Sequence, residues 1–389
     1  MTGVGIRYGP HLVAFSVGYV LFSYASVPGL VVSRFDVGFT AVGLLMSVAL
    51  VSFVVVQTVG GRLVTDGPTL PVLLAIVVAN AVVAVGLDVA PSFATLLALR
   101  TVWGLLGGLA VTVCATQLSR VYRGPTATWH QGLNGATFTF GGAVSFALTP
   151  QVVAVTGWVG VHAVGALVAV PAIVALWSDA PRANRTAPRE DGSDDDGASS
   201  DGDRSTGRLA VVRHPVVVLA AVCNAATLGA YVTLSTFVTA YFGDLGIVGP
   251  VSAIALFVAA LGRVGGGVVV LRPDVGDARV IAGAAGVGAL GLVALTVVDG
   301  PVVVVLLLLA IAAVSLPFGS IFKLTAIATP RDAAAVAVVV AAGNFGGLVL
   351  PALTGWIRDV TGGYEVAFAL LGLLNLVAAA AGLAIARRR

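Results

Sequence analysis

Long apolar stretches, separated by short runs of glycine, proline or charged residues, recur along the whole chain. A bilayer core about 30 Å thick is crossed by roughly 20 apolar residues in a helix, whereas a transmembrane β-barrel would alternate polar and apolar residues in segments of about 10. The sequence lacks that alternation. It predicts twelve helical spans, at 11–32, 40–60, 70–89, 93–118, 127–149, 157–177, 214–238, 250–271, 279–298, 301–323, 334–354 and 365–386.

The composition excludes the soluble classes of protein. Of the 389 residues, 58% are hydrophobic and only 10% are charged, with a mean hydropathy of +1.03, whereas soluble domains average about 25% charged residues. A cytosolic enzyme, a nucleic-acid-binding protein and a disordered chain are therefore excluded. We predict an all-α, multi-pass membrane protein whose first partner is the lipid bilayer.

The basic residues predict the orientation of the spans. With the N-terminus inside, only Arg34 and Arg358 fall on the non-cytoplasmic side. Because cytoplasmic loops carry the excess of Lys and Arg, this bias places both termini in the cytoplasm and the protein in the cell (plasma) membrane. The cytoplasmic arginines are Arg7, Arg62, Arg120, Arg123, Arg182, Arg185, Arg189, Arg204, Arg208, Arg213, Arg272, Arg279, Arg331, Arg387, Arg388 and Arg389.

One long polar segment, 179–213, interrupts the apolar pattern. It mixes eight acidic residues with Ser, Gly and Arg and has little to bury. Such a composition is typical of a disordered linker. We therefore divide the chain into an N-terminal six-helix bundle (1–178), a cytoplasmic acidic linker that begins with Asp179 (179–213) and a C-terminal six-helix bundle (214–389).

The two halves repeat each other at an almost constant offset. Three matches, each on the equivalent span, have offsets of 205 or 206: Pro10 with Pro215, Gln57-x-x-Gly60-Gly61 with Arg263-x-x-Gly266-Gly267, and Phe140-Gly141-Gly142 with Phe345-Gly346-Gly347. A parallel 6+6 repeat predicts two bundles related by pseudo-twofold symmetry, with a solute path between them.

Several of these segments resemble motifs of the major facilitator superfamily (MFS). Arg100-x-x-x-Gly104-x-x-x-Gly108 is similar to a fourth-helix pattern of the family, and 132–150 and 343–364 are similar to its glycine-rich fifth and eleventh helices. After the second span, Thr65 stands where the family has Asp. The resemblance covers the chain except the linker. It implies the MFS fold, secondary active transport of a small solute and rocker-switch alternating access.

The charges left inside the spans are all positive: Arg100, Arg263 and Lys323. Ionisable side chains inside a bilayer are costly and are candidates for function, and a guanidinium binds oxyanions through a fork of donors. This favours an anionic substrate. Nitrate porters of the superfamily carry a substrate-binding Arg in an R-x-x-G-G setting on helices 2 and 8; this chain keeps it as Arg263 and has Gln57 at the other position.

Polar residues complete the predicted substrate-binding set. Tyr19 lies in a polar stripe of the first span, and Asn224 and Tyr231 lie in one of the seventh, while Asn134 and Asn344 stand beside glycines. Each has an alternative role: Ser, Thr and Asn also join packed helices, Arg100 occupies a structural position of the family, and Lys323 can extend to the interface. The full set is Arg263, Arg100, Gln57, Tyr19, Asn134, Asn224, Tyr231, Lys323 and Asn344.

These features predict a monomeric secondary transporter of a small solute, preferably an anion, moved with or against a coupling ion. An exporter of hydrophobic or drug-like compounds is the alternative within transport, and a transport-dead receptor or sensor is the alternative outside it. The sequence contains no phosphate loop, nucleophile constellation or metal-ligand cluster. We therefore expect no enzymatic activity, no cofactor and no metal.

Overall fold

The computed structural model describes residues 3–60, 69–183, 213–247, 251–270, 276–329 and 332–388. This part of the chain is helical and contains no strand. Its fourteen α-helices are α1 (Val4–Ser23), α2 (Pro28–Phe35), α3 (Phe39–Gly60), α4 (Thr69–Asp88), α5 (Phe93–Val121), α6 (Gly124–Thr156), α7 (Ala163–Ala183), α8 (Pro215–Asp244), α9 (Val251–Val270), α10 (Asp277–Ala294), α11 (Val302–Ser315), α12 (Phe318–Ala326), α13 (Asp332–Thr361) and α14 (Glu365–Ala386).

These helices give the twelve predicted spans. Eleven helical segments of the described chain are long and apolar enough to cross a membrane, and the bent pair Val4–Ser26 and Pro28–Phe35 makes up the twelfth. Many side chains on their outer faces are large and apolar, Val82, Leu167 and Leu290 among them. An apolar surface of that kind is stable against lipid. The predicted all-α membrane fold is confirmed.

The first span differs from its prediction in start and in shape. It begins at Val4, seven residues before the predicted 11–32, and contains Pro10 inside the helix. A 3-10 turn then leads to Val27, whose backbone leaves the helical region, and α2 sets off at 66° to α1. Pro28 occupies the first position of α2, where its missing N–H costs nothing. The predicted span is therefore a bent pair of helices and begins earlier than predicted.

The tenth span is interrupted as well, although its two helices form a single apolar segment, Val302–Ala326. The predicted helix 301–323 is two helices, α11 and α12, which meet around Pro317. A proline lacks the N–H that the helix needs and its ring crowds the preceding turn, so α11 ends at Ser315 and a new helix starts after the proline.

By contacts between Cα atoms, the described chain forms two units. The first contains the described residues of 3–183, 231–261 and 347–367, and the second those of 213–230, 262–346 and 368–388. The boundaries of α8, α9 and α13 therefore do not coincide with the unit boundaries, because each of these helices contributes one part to each unit. The predicted bundle boundaries at 178 and 214 stay a prediction.

In the first unit, α1 and α6 cross closely through glycine. A Cβ added at Gly18 would overlap the Phe138 carbonyl oxygen, and one added at Gly141 would overlap the Phe15 carbonyl oxygen. Only glycine permits this approach, since it alone has no Cβ. The crossing holds α1 in a fixed position against α6, and it therefore fixes the polar side chains that both helices carry.

In the second unit, α8, α10, α12, α13 and α14 share an apolar core. Fully buried members from successive helices are Val217, Ile281, Ile321, Val339 and Ile385, with alanines filling the spaces between them. Small side chains allow such helices to pack at short distance. This core holds α12, which carries Ser320 and Lys323, against α10.

The start of the predicted linker belongs to a helix. α7 extends to Ala183 and includes Asp179, which is 1% exposed. The Asp179 carboxylate accepts a hydrogen bond from the Gly5 N–H at 2.7 Å and faces the Ile6 N–H at 3.4 Å. An acidic group at a helix start satisfies N–H groups that lack an intrahelical acceptor. Asp179 is thus a structural residue of the first unit, and 184–212 lie outside the described residues.

Candidate functional site

Arg100 is fully buried on α5 and its guanidinium is engaged by the backbone. Nε, Nη1 and Nη2 donate to the carbonyl oxygens of Leu45, Val20 and Leu21, at 3.4, 3.1 and 2.5 Å. The guanidinium carbon also lies 4.6 Å from the centroid of the Trp103 ring, within the range of a cation–π contact. Arg100 therefore joins α1 and α3 to α5.

Arg263 lies where α9 meets α11 and α12 in the second unit. The Arg263 side chain is half-buried, and its guanidinium carbon lies 4.5 Å from the centroid of the Phe318 ring. A Cβ at Gly266, one turn further along α9, would overlap the Leu316 carbonyl oxygen. Because the glycine lets the helices approach, the Arg263 head group is held against the start of α12.

Lys323 is another predicted cation that belongs to the second unit. Its side chain is 44% exposed, and Nζ lies 3.0 Å from Asp277 Oδ2 at the start of α10. Ser320 donates to the second oxygen of the same carboxylate at 3.2 Å. An ion pair that water reaches contributes little to stability. It nevertheless gives Lys323 a protein partner.

The two predicted tyrosines both belong to the first unit. Tyr19 is 0% exposed, and its hydroxyl lies 3.2 Å from Thr149 Oγ1 on α6. Tyr231 on α8 is 3% exposed. Ser16 and Ser23, from the same stripe as Tyr19, donate to carbonyl oxygens of their own helix. The stripe therefore contains satisfied helical serines as well as the interhelical tyrosine.

Asn224 and Asn344 belong to the second unit. Asn224 is 0% exposed, and its Nδ2 donates to the Val339 carbonyl oxygen at 2.8 Å, which ties α8 to α13. Its Oδ1 is buried and has no hydrogen-bond partner within the described residues. Gly343 packs directly on this amide, and Asn344 follows it as a half-buried residue. An unsatisfied buried oxygen is costly, so Asn224 is available to a donor.

The remaining predicted residues are Asn134 and Gln57. Asn134, on α6, is 7% exposed and lies beside His11. The backbone of Gln57 is part of α3, but its side chain lies outside the described residues, as do Thr65 and the rest of the loop that follows α3. The structure thus assigns Arg100, Tyr19, Asn134, Tyr231 and the Gln57 backbone to the first unit, and Arg263, Asn224, Lys323 and Asn344 to the second.

A buried carboxylate and imidazole pair was not predicted from the sequence. Asp88 at the end of α4 accepts from His162 Nδ1 at 2.7 Å and from the backbone N–H groups of His162 and Ala163, and both side chains are at most 1% exposed. Burial lowers the pKa of His162, although Asp88 opposes that shift. The carboxylate therefore caps the start of α7. A lone Asp at the end of an apolar span was the only signal.

A second cluster, which we call the α3–α13 seam, consists of Phe39, Thr40, Asp244, Arg358 and Asp359. Asp359 accepts from the Phe39 N–H, the Thr40 N–H and the Thr40 hydroxyl, at 2.8, 2.8 and 2.6 Å. Arg358 donates to Asp244 at 2.7 Å, and its guanidinium carbon lies 4.1 Å from the Phe39 ring centroid.

The seam binds parts of the chain that are far apart in sequence but lie in one unit. Asp359 caps the start of α3, where negative charge is stabilised by the helix dipole. Nearby, the Ser47 hydroxyl donates to the Leu348 carbonyl oxygen. The Tyr364 ring is in contact with the Arg358 guanidinium, and burial raises the pKa of the Tyr364 hydroxyl. Sequence reasoning identified Arg358 and Asp359 as part of a family-like helix ending but had no means of identifying their partners.

Comparison with known proteins agrees with this helical architecture. The family model described as Major Facilitator Superfamily matches residues 11–338. No curated protein matches the sequence significantly.

Two crystal structures of a bacterial homologue of the human lysosomal transporter Spinster, both inward-facing, have the same fold. The unoccupied one has a TM-score of 0.77 and the match covers 97% of this chain and 95% of that chain. The occupied one has a TM-score of 0.72, with 97% and 96% covered. Each is 16% identical to this chain, so the likeness is one of fold.

Proposed function

The chain belongs to the major facilitator superfamily, and from that premise we propose that it is a secondary active transporter that moves a small anion by rocker-switch alternating access. Membrane transport is the activity of the family. The anion, the mechanism and the binding residues are our proposal. Arg263 is the central residue of that proposal.

The observation that carries the anion preference is the different environment of the two arginines that lie inside the spans. Arg100 donates to three backbone carbonyl oxygens and is 0% exposed. Arg263 is half-buried, and its guanidinium packs over the Phe318 ring at the start of α12. A guanidinium over an aromatic ring still directs its N–H groups outward in its own plane. This supports Arg263 as the group that binds the anion.

Residues on the same unit supply the neutral contacts in this proposal. The buried Oδ1 of Asn224 accepts a hydroxyl or N–H of the solute, and Asn344 follows the glycine that packs on it. Lys323 adds positive charge and shares it with Asp277. In the first unit, Arg100 acts as a structural clamp, while Tyr19, Tyr231, Asn134 and Gln57 complete the candidate contacts.

The α3–α13 seam supports alternating access. It joins α3 to segments 231–261 and 347–367 by charged hydrogen bonds that involve exposed side chains. Exposed pairs are individually weak and reversible, which suits contacts that form and break in each cycle. Because Arg358 is assigned to the non-cytoplasmic side, the seam supports a state closed on that side, as in the two inward-facing Spinster homologue structures.

We propose further that the protein lies in the plasma membrane with both termini in the cytoplasm, as the distribution of its basic residues predicts. We also propose that it works as a monomer. A coupling ion or a counter-transported anion supplies the driving force. No other partner is required by the proposal.

A thermal-shift screen of the purified protein over oxyanions, carboxylates and hydrophobic compounds tests the binding part of the proposal. We expect one class of anion to raise the unfolding temperature of the wild type and to lose that effect in Arg263→Gln. Exposed Arg279 on α10 provides the matched control, Arg279→Gln, which should respond like the wild type. Stabilisation by hydrophobic compounds and by no anion would instead support the drug exporter.

A further inference from the structure

Two histidines from different helices form a hydrogen-bonded pair in the first unit. His11 Nε2 on α1 lies 3.1 Å from His130 Nδ1 on α6, and the ring centroids are 5.3 Å apart. His11 is 6% exposed and His130 is half-buried. A hydrogen bond between two imidazoles needs a proton on one nitrogen and a lone pair on the other. The pair therefore cannot carry two extra protons and keep this bond.

Tyrosines and arginine surround the pair. The Tyr122 ring is stacked on His130 with a centroid distance of 3.6 Å, and the Tyr8 ring lies 6.4 Å from His11. Arg7 acts on Tyr122 through its charge. From α7, Asp179 binds the start of α1 at Gly5, more than a turn before His11. Burial raises the pKa of the Tyr122 hydroxyl, and imidazole is the kind of side chain whose charge ordinarily changes near neutral pH.

Two buried polar atoms beside the pair lack partners. His11 Nδ1 and Asn134 Oδ1 each have no hydrogen bond within the described residues, although Asn134 lies against His11. Asn134 and His130 are four residues apart on α6 and so share a face of the helix. A protonated His11 has two N–H donors, one for His130 Nδ1 and one for Asn134 Oδ1. A neutral His11 makes both contacts in one tautomer alone, with the proton on Nδ1 and with His130 donating from Nδ1 to His11 Nε2.

We propose that His11, His130 and Asn134 form a binding site for a single proton, and that this proton is the coupling ion of the transporter. The role of this proton as the coupling ion rests on the proposed transport function, whereas the proton-binding site does not. The proton comes from the adjoining water and forms one N–H bond on the imidazole pair. After the transporter has changed conformation the proton leaves to the water on the opposite side of the membrane, and no other bond is made or broken.

Protonation at this position acts on the contact between α1 and α6. Pro10, next to His11, leaves the Ile6 carbonyl oxygen without its helical donor, and Gln117 Nε2 approaches that oxygen at 3.4 Å. Cys114 donates to the Pro10 carbonyl oxygen at 3.5 Å. The site thus adjoins the proline of α1. Gaining or losing a proton changes which hydrogen bonds His11, His130 and Asn134 make, and with them how firmly this end of α1 is held to α6.

The proton site is tested without substrate by NMR titration of the detergent-solubilised, full-length protein labelled with ¹⁵N in its histidine rings. Only four histidines are present, so single variants assign the signals. We expect His11 and His130 to titrate together and to take up one proton between them. In His11→Gln, the titration midpoint of His130 should change by about one pH unit or more, as for strongly coupled sites. His214→Gln is the matched control.

Coupling is tested separately by anion flux into proteoliposomes with and without a pH gradient. We expect the gradient to change the wild-type and His214→Gln rates several-fold and to leave the His11→Gln and His130→Gln rates unchanged. Independent titration of the two rings overturns the proton site, and an equal response of His11→Gln and the wild type overturns the coupling. Absence of any anion flux would overturn the proposed function, whereas the NMR result on the proton site would stand.

Discussion

The guanidinium of Arg100 shows how a charge is accommodated inside a helical membrane protein without a carboxylate at its side. Its three nitrogens donate to carbonyl oxygens of α1 and α3, and Trp103 covers one face. A buried charge is tolerated when its hydrogen bonds are made. The position of the Arg100 guanidinium therefore indicates a structural role. Arg263 differs because its side chain is only half-buried.

Replacement of Arg100 by Lys is the first prediction at the residue scale. A lysine keeps the positive charge but has one nitrogen in place of three, so it cannot make all three hydrogen bonds to the backbone. Each hydrogen bond to a charged group contributes about 1.5–3 kcal/mol. We expect a loss of about 3 kcal/mol in stability and a lower unfolding temperature. Because Cys114 and Cys223 are both buried, a thiol-reactive dye reports unfolding. Arg279→Lys should be neutral, and an unchanged Arg100→Lys would contradict the clamp.

The buried His162 predicts how stability depends on pH. Burial lowers its pKa in the folded protein, while the unfolded chain has the ordinary value of about 6.5. The unfolded state therefore binds protons first, and the contribution is fully present above that value and is lost as the pH falls through the folded pKa. We expect the unfolding temperature to fall from pH 7 to pH 5. His162→Gln should show a flatter profile; a parallel profile would contradict this role.

At the scale of helices, the hydrophobic pattern predicts each element but not its bends. The twelve apolar spans are all present. They could be predicted from the sequence because the thickness of the bilayer sets the length of an apolar span. The bend at Val27 and the helix break at Pro317 escaped prediction because proline is also tolerated within membrane helices. Pro150 and Pro351 illustrate this, since α6 and α13 continue through them.

The α3–α13 seam gives a prediction about helix contact. A Cβ at Gly355 would overlap the Phe39 carbonyl oxygen, so Gly355→Ala should separate α13 from the start of α3. We expect a cysteine placed at Ser47, which is 3% exposed, to react faster with a polar maleimide in this background. Asp359→Asn weakens the cap of α3, and it should therefore also increase the rate at which this cysteine reacts with the maleimide.

The matched control for the seam is Gly243→Ala on α8. A Cβ there meets nothing within 4 Å, so the substitution adds helix propensity without a clash. Its labelling rate should equal that of the parent. Equal rates in Gly355→Ala and the parent would show that the seam does not depend on this close approach.

For the whole molecule, the sequence was sufficient for the fold but only partly for the site. Membrane class and span number follow from hydropathy, whereas the family was suggested by the resemblance of its motifs, such as Arg100-x-x-x-Gly104-x-x-x-Gly108, to those of the superfamily. The partners of Asp88, Asp179 and Asp359 lie at least 74 residues away in sequence. Pairing of that kind depends on tertiary packing, and apolar periodicity carries no information about it.

The most direct test of the account is anion exchange in proteoliposomes. The vesicles are preloaded with the anion that stabilises the protein most, and uptake of the labelled anion is followed for wild type, Arg263→Gln and Arg279→Gln. We predict exchange by the wild type and by Arg279→Gln and its loss in Arg263→Gln, with all three proteins folded by the thiol-dye assay. Undiminished exchange by Arg263→Gln would contradict the central claim.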